Sequence, residues 1–193
     1  MGDSYHHGNL RQALIDAGIK IINDSGESNL SLRKAAALCN VSHAAPYAHF
    51  KDKDELIEAI KESVTGQFME DLTMAVDSGR TAEESLLLMG KAYVKFFIRK
   101  PDYYKFLFGG QNIVAHIPDD KEYEEDYPPF VLLKTTYLKY INENGLKRSA
   151  DERETDIIKL WSSVHGLASI ACMSGVTTKI DWEDKLSGDL LLR

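Results

Sequence analysis

Few side chains in this sequence stand at spacings that could do chemistry, and most of them crowd into one stretch. Residues 31–56 read SLRKAAALCNVSHAAPYAHFKDKDEL and carry Arg33, His43, Tyr47, His49, Lys51 and Lys53. Such groups donate hydrogen bonds to phosphate oxygens, and an arginine fork also fits the edge of guanine. Yet between Ser42 and Phe50 there is no Arg, Lys, Asn or Gln, the side chains that most often read bases. Elsewhere the chemistry is thin. No G-x-S-x-G, P-loop or HExxH occurs, so the signatures of acyl transfer, nucleotide binding and zinc proteolysis are missing. The pair His6–His7 lacks the full set of ligands that a metal site needs. Cys39 and Cys172 lie far apart and outside any CxxC, which reads as two reduced, structural thiols. An enzyme, a resident metal and a cofactor are therefore not expected.

The elements that must position this stretch are helical. Leu10, Ala13, Leu14, Ala17, Gly18, Ile21 and Ile22 recur at the spacing of one helix face. The turn formers NDSGESN at 23–29 end that helix, and short helices are expected from about Ser31 to Cys39 and from Ser42 to about His49. Asp52 with Glu55, Thr81 with Glu84, and Ser149 with Glu152 each have capping-box spacing and announce three longer helices. Pro101 stops the second of these and opens PDYYKFLF. The acidic PDDKEYEEDYPP reads as a loop, or as the entry to a helix through Tyr140, and DWEDKLSGDLLLR as a last amphipathic helix. No segment shows a persuasive period of two. The expected fold is all-α, with about nine helices: a compact unit over residues 1–53 and a larger helical bundle over 54–193.

Composition sets outer bounds. The chain has 193 residues, 44% hydrophobic and 27% charged, which is ordinary for a globular protein. No apolar run approaches the roughly 20 residues that cross a bilayer, and the N-terminus is polar rather than signal-like; a cytoplasmic protein without a membrane partner is expected. Net charge is −7, unevenly spread: residues 1–53 hold six Lys/Arg against five Asp/Glu, and 54–193 hold seventeen against twenty-five. That asymmetry points to two segments with different partners.

Within the stretch, several local requirements of a helix-turn-helix coincide. Two short helices cross closely only over small residues, here Ala35 and Ala36. Asn40 stands where the turn demands a left-handed backbone, which Asn tolerates. Val41 plugs the corner, and Ser42 is placed to cap the second helix. These residues, with Tyr47, His49, Phe50, Lys53 and Leu56, resemble the N-terminal DNA-binding domain of the TetR family of transcriptional regulators. WSSVHG at 161–166 is similar to the W-x-x-x-H-G signature of one C-terminal ligand domain of that family. Together these motifs cover about a third of the chain.

The resemblance implies a three-helix DNA-binding domain, a helical effector and dimerisation domain, and a homodimer on double-stranded DNA released by a small-molecule effector. It also implies site residues. The second helix of the motif enters the major groove with His43, Ala44 and Ala45, the alanines lying against thymine methyls. Tyr47, His49 and Lys53 match phosphate-clamping positions, Arg33 a base-reaching one, and Ser31, Ser42 and Lys51 complete the DNA-contacting set. Pro46 and Ala48 depart from the family, which commonly has Leu or Val at the first and a larger residue at the second. A reader so poor in polar groups relies on close approach and DNA shape.

In the second unit, Tyr93, Phe97, Tyr103, Phe106, Tyr137, Trp161 and His165 are the candidates for an effector pocket between helices. The plainer alternative is that most of these rings are core, and that His165 is a hydrogen-bonded core histidine. Gly166, Ala168 and Ala171 would let a second copy approach the helix TDIIKLWSSVHGLASIACMSG, which with 181–193 forms the expected dimer seam. A repressor is the expected sense of regulation. The rival is a helical dimer that binds a partner protein, its helix-turn-helix vestigial.

Overall fold

The computed structural model describes residues 10–109, 113–117, 123–177 and 179. Seven α-helices account for most of them: α1 Leu10–Ser25, α2 Leu32–Leu38, α3 Lys53–Ser78, α4 Ala82–Arg99, α5 Pro101–Phe108, α6 Pro128–Glu143 and α7 Ala150–Cys172. Two single 3-10 turns, Glu27–Asn29 and Ala45–Ala48, punctuate the first third. No strand occurs among the described residues. The all-α expectation holds, with a smaller count of α-helices because the second helix of the motif is one of those 3-10 turns. The expected last helix, 181–193, and the His6–His7 pair lie outside the described residues.

The helix starts follow their caps. Asp52, Thr81 and Ser149 each accept a hydrogen bond from the backbone N–H three residues on, satisfying a donor that a helix start otherwise leaves orphaned. Glu152 returns the bond to the Ser149 N–H at 2.7 Å and closes the box. Glu55 and Glu84 reach one residue farther, to the N–H groups of Lys51 and Arg80. Pro101 and Pro128 open α5 and α6, where a missing N–H costs nothing.

α3 joins the two units. Its 26 residues make a rod about 39 Å long. Its first turns bury Leu56 and Ile60 against α1, where Gly18 leaves the room: a Cβ there would stand 2.6 Å from Ile60 Cδ1. Its second half buries Val64, Phe68 and Leu72, and the Phe68 ring lies within 5.1 Å of those of Tyr93, Phe96 and Phe97 on α4. One apolar cluster therefore runs from the helix-turn-helix into the bundle. A second cluster, of Leu86, Phe130, Tyr137, Ile141 and Ile157, ties α4, α6 and α7 together. Among the described residues no helix is long and apolar enough to cross a membrane.

Candidate DNA-reading face and effector cavity

α2 and the turn after it carry the motif. Ser31 caps α2 by accepting from the Lys34 N–H at 3.2 Å. Ala35 and Ala36 are fully buried where α2 meets its neighbours. Asn40 has φ 55°, the only non-glycine with positive φ among the described residues, and Val41 packs against the core. These are the local features a tight helix-turn-helix corner requires.

The reading element itself departs from expectation. Ser42 caps no α-helix; the helical turn spans only Ala45–Ala48, and Ala44 precedes it without a side-chain cap. Pro46 supplies the reason. In an α-helix its N–H would bond back to the Ser42 carbonyl, but proline has none. The Ala45 N–H takes that carbonyl instead, at 3.0 Å, and Tyr47 bonds back to Ala44 at 3.2 Å. Both are three-residue steps, so the chain winds as a 3-10 turn. Its Pro46 carbonyl then receives the N–H groups of His49 and Phe50, closing the element after a single turn.

What that element offers outward is specific. Arg33, Ser42, His43, Ala44, Tyr47, Ala48 and Lys51 are exposed, while Ala45, His49 and Ser31 are half-buried. Tyr47 is 55% exposed, unusual for so large a ring. Lys53 is held by the first 3-10 turn, donating to the Glu27 carbonyl at 2.7 Å. Lys51 lies 3.5 Å from Asp52. Arg11, not foreseen from the sequence, sits 5.4 Å above the Phe50 ring. Pro46 and Phe50 are buried and anchor the turn.

The bundle holds a cavity of about 40 Å³, lined by Leu86, Met89, Gly90 and Tyr93 of α4, by Tyr127, Pro129, Phe130 and Leu133 at the start of α6, and by Leu160, Trp161 and Val164 of α7. Of the seven expected lining residues, Tyr93 and Trp161 stand in its wall. His165 stands behind that wall, where Nδ1 meets the Tyr93 hydroxyl at 3.0 Å and Nε2 the Tyr104 hydroxyl at 3.1 Å. Burial lowers its pKa, favouring the neutral imidazole that can accept on one nitrogen and donate on the other. The same burial pushes the Tyr93 phenol well up, partly offset by the neighbouring Trp161. Phe97 and Phe106 are buried in the aromatic cluster. Tyr103 lies on another face with Lys100 over its ring at 5.1 Å. Tyr137 donates to Asp156 at 2.7 Å.

Two features of this region had no sequence signal. Tyr104 completes the Tyr–His–Tyr bridge, and Tyr127 brings a hydroxyl that is buried without a hydrogen-bond partner. Burial pushes the Tyr127 phenol up to about 12, and the neighbouring Thr65 side chain tempers this. Beside the cavity, Asp126 fastens the α5–α6 connection by accepting from the His116 backbone N–H and contacting His116 Nδ1, both at 2.8 Å, with Lys134 at 3.5 Å. Both cysteines are free: Cys39 is buried, and Cys172 donates to the Phe97 carbonyl at 3.4 Å.

Comparison with known proteins gives this arrangement its place. The nicotine-responsive transcriptional repressor HdnoR of Paenarthrobacter nicotinovorans is 37% identical over 67 residues, covering 35% of this chain and 34% of that one. Two further curated relatives are matched over only 36% and 39% of their length. Solved structures agree along nearly the whole chain. A regulatory protein of the tetR family from Rhodococcus RHA1 superposes with a TM-score of 0.68 at 15% identity, covering 94% of this chain and 93% of its own. FadR of Bacillus subtilis, in complex with stearoyl-CoA, superposes with a TM-score of 0.62 at 16% identity, covering 86% and 99%. Residues 14–60, with the helix-turn-helix, match the model of bacterial regulatory proteins of the tetR family. Residues 86–186, which hold the cavity and the His165 bridge, match the tetracyclin repressor-like C-terminal domain. Motif, fold and both family models agree, and the chain belongs to the TetR family of bacterial regulatory proteins.

Proposed function

We propose that this protein is a cytoplasmic, effector-responsive repressor that binds a pseudo-palindromic DNA operator as a homodimer. Residues 1–53 serve as the reading head and 54–193 as the effector and dimerisation unit. The observation that carries this reading is the continuity of α3, one end packed under the helix-turn-helix and the other in the aromatic cluster beside the cavity. Arg33 and His43 are the base-reading candidates; Ser31, Ser42, Tyr47, His49, Lys51 and Lys53 hold phosphates; Ala44 and Ala45 permit close approach to the groove. Lys53 would exchange its Glu27 carbonyl for a phosphate on binding. α7 supports the dimer: among the described residues it buries only Ile157 and Ala168, leaving Ile158 and Ile170 each 44% exposed for a second copy to cover.

A route from cavity to head runs through hydrogen bonds. Tyr93 lines the cavity, His165 links it to Tyr104 on α5, and the Asp102 carbonyl of α5 receives the Asn23 side chain of α1 at 2.9 Å. A ligand that fits only a widened cavity favours the state in which these contacts shift, and it acts through that differential affinity alone. The test is selection of bound duplexes from random DNA, repeated with Arg33→Ala and His43→Ala at two salt concentrations. An enriched inverted repeat, bound in a salt-dependent way and read less strictly by the variants, supports the proposal. A folded dimer that enriches no sequence contradicts it and favours a protein-binding module.

A further inference from the structure

If the cavity is the effector site, as proposed above, its wall selects among ligands by charge and by hydrogen bonding. None of its eleven lining residues is Asp, Glu, Lys, Arg or His. The buried charges of the described residues, Lys134, 5.5 Å over the outer side of the Phe130 ring, and Asp126, are already engaged: Lys134 donates to the His116 carbonyl at 2.8 Å and lies 3.5 Å from Asp126. An ion entering here would lose its hydration and meet no counter-charge, which is strongly unfavourable. The polar side-chain groups of the wall are few: the Tyr93 and Tyr127 hydroxyls and the Trp161 indole N–H, which is engaged with Tyr93. The Tyr93 hydroxyl already meets His165. The Tyr127 ring lines the cavity while its hydroxyl is fully buried beside Thr65 and makes no hydrogen bond; such a group is costly and uncommon in folded proteins, and it opens to a ligand once the helices part. A hydroxyl can donate or accept, so a single group on a ligand can satisfy it either way.

We infer that the effector is an uncharged, largely apolar molecule carrying one hydrogen-bonding group, a carbonyl, ether or hydroxyl, that pairs with the Tyr127 hydroxyl. Size bounds it further. About 40 Å³ exceeds the roughly 10–15 Å³ that one water needs and falls short of the roughly 150 Å³ cavity known to hold benzene. The ligand therefore enters by parting α4, α6 and α7, the helices whose contacts lead to the reading head.

Four probes of one shape separate these terms: acetophenone, cumene, benzoate and 1-phenylethylammonium, titrated into the full chain by calorimetry. Acetophenone is expected to bind tightest, with both ions at least tenfold weaker. Tyr127→Phe is expected to weaken acetophenone about fivefold to tenfold, the worth of one hydrogen bond, and to leave cumene unchanged. An ion binding as tightly as acetophenone overturns the inference alone. So does a Tyr127→Phe variant that holds acetophenone undiminished, or that loses cumene equally. Met89→Trp fills the cavity and, with its melting temperature checked, is expected to abolish binding of acetophenone and cumene. If no probe binds the wild type, or all bind Met89→Trp unchanged, the cavity is not the effector site and both readings fall.

Discussion

The α2 crossing of the reading head and the ring cluster of the bundle are built on opposite plans. The head closes its α2 crossing over small residues, Ala35 and Ala36, beside a core of Leu14, Ile15 and Phe50, and turns its polar groups outward from a single 3-10 turn. The bundle packs large rings inside, Phe68, Phe96, Phe97 and Phe106, and keeps polar groups among them: the Tyr93–His165–Tyr104 bridge, the Tyr137–Asp156 pair and the Asp126 clasp. A head of this kind is a rigid plug whose function lies on exposed atoms. A bundle of this kind can be re-sorted, because each buried hydrogen bond has two ends and a ligand can satisfy one of them. The two plans also fail differently. The α2 crossing tolerates no added volume, the ring cluster no removed volume.

The sharpest break is Phe68→Ala. It removes a fully buried ring that touches three others, and urea titration should show a loss of about 3–5 kcal/mol. Its counterpart in the head, Ala35→Leu, should cost about 1–3 kcal/mol by overpacking the α2 crossing. If Ala35→Leu proves the milder change yet abolishes operator binding, the contrast sharpens. If it is silent in both assays, the close crossing is not needed and the contrast fails.

Acidity separates the regions next. His165 has its pKa lowered by burial, so between pH 8 and 5 the unfolded chain binds the proton more readily than the folded one. Stability should therefore fall as pH drops through about 6.5, the ordinary histidine value. His165→Gln should flatten that part of a plot of urea midpoint against pH; a slope unchanged in the variant places the titrating group elsewhere. Asp126 acts in a lower window. Burial opposes its ionisation, but the His116 N–H, the imidazole and Lys134 outweigh it and hold the carboxyl below its usual range. Its contribution persists until pH falls below about 3.9, the ordinary aspartate value, and is lost through the depressed folded value.

Tyr104→Phe is the smallest change. It takes one hydroxyl from His165 and should cost only about 0.5–1.5 kcal/mol of stability, while reducing the effect of a cavity ligand on operator affinity. Asn23→Ala, at the α1–α5 contact, should act on the same coupling. Full coupling in both variants would show that α3 alone carries the signal.

How far the sequence revealed these features depends on whether their determinants lie close together along it. Ala35, Ala36, Asn40 and Val41 answer requirements that all arise within one motif, and each found its expected role. Pro46 could be seen to interrupt the motif, but its consequence could not: losing one N–H turned the helix capped at Ser42 into a 3-10 turn beginning past it. The three capping boxes were visible because each needs only two residues, although the Glu55 and Glu84 carboxylates reach one residue beyond the box. The cavity was hidden for the converse reason. Leu86, Tyr127 and Leu160 line it from three separate elements, and a void is set by where side chains are not. Phe97 and Phe106 are as aromatic as any pocket wall, yet they fill the core behind it.

The most direct test of the account is the distance between the two reading heads, measured by pulsed EPR. Spin labels would be placed on α1 at the exposed position Lys20→Cys, outside the reading turn, with Cys39→Ala and Cys172→Ser removing the native thiols. Free protein should give a distribution compatible with heads one DNA turn apart, about 34 Å between half-site centres. Saturating acetophenone, with occupancy confirmed by calorimetry, should move that distribution by several ångströms and release the operator. A distribution unchanged by a saturated cavity, with the operator still bound, would contradict the account.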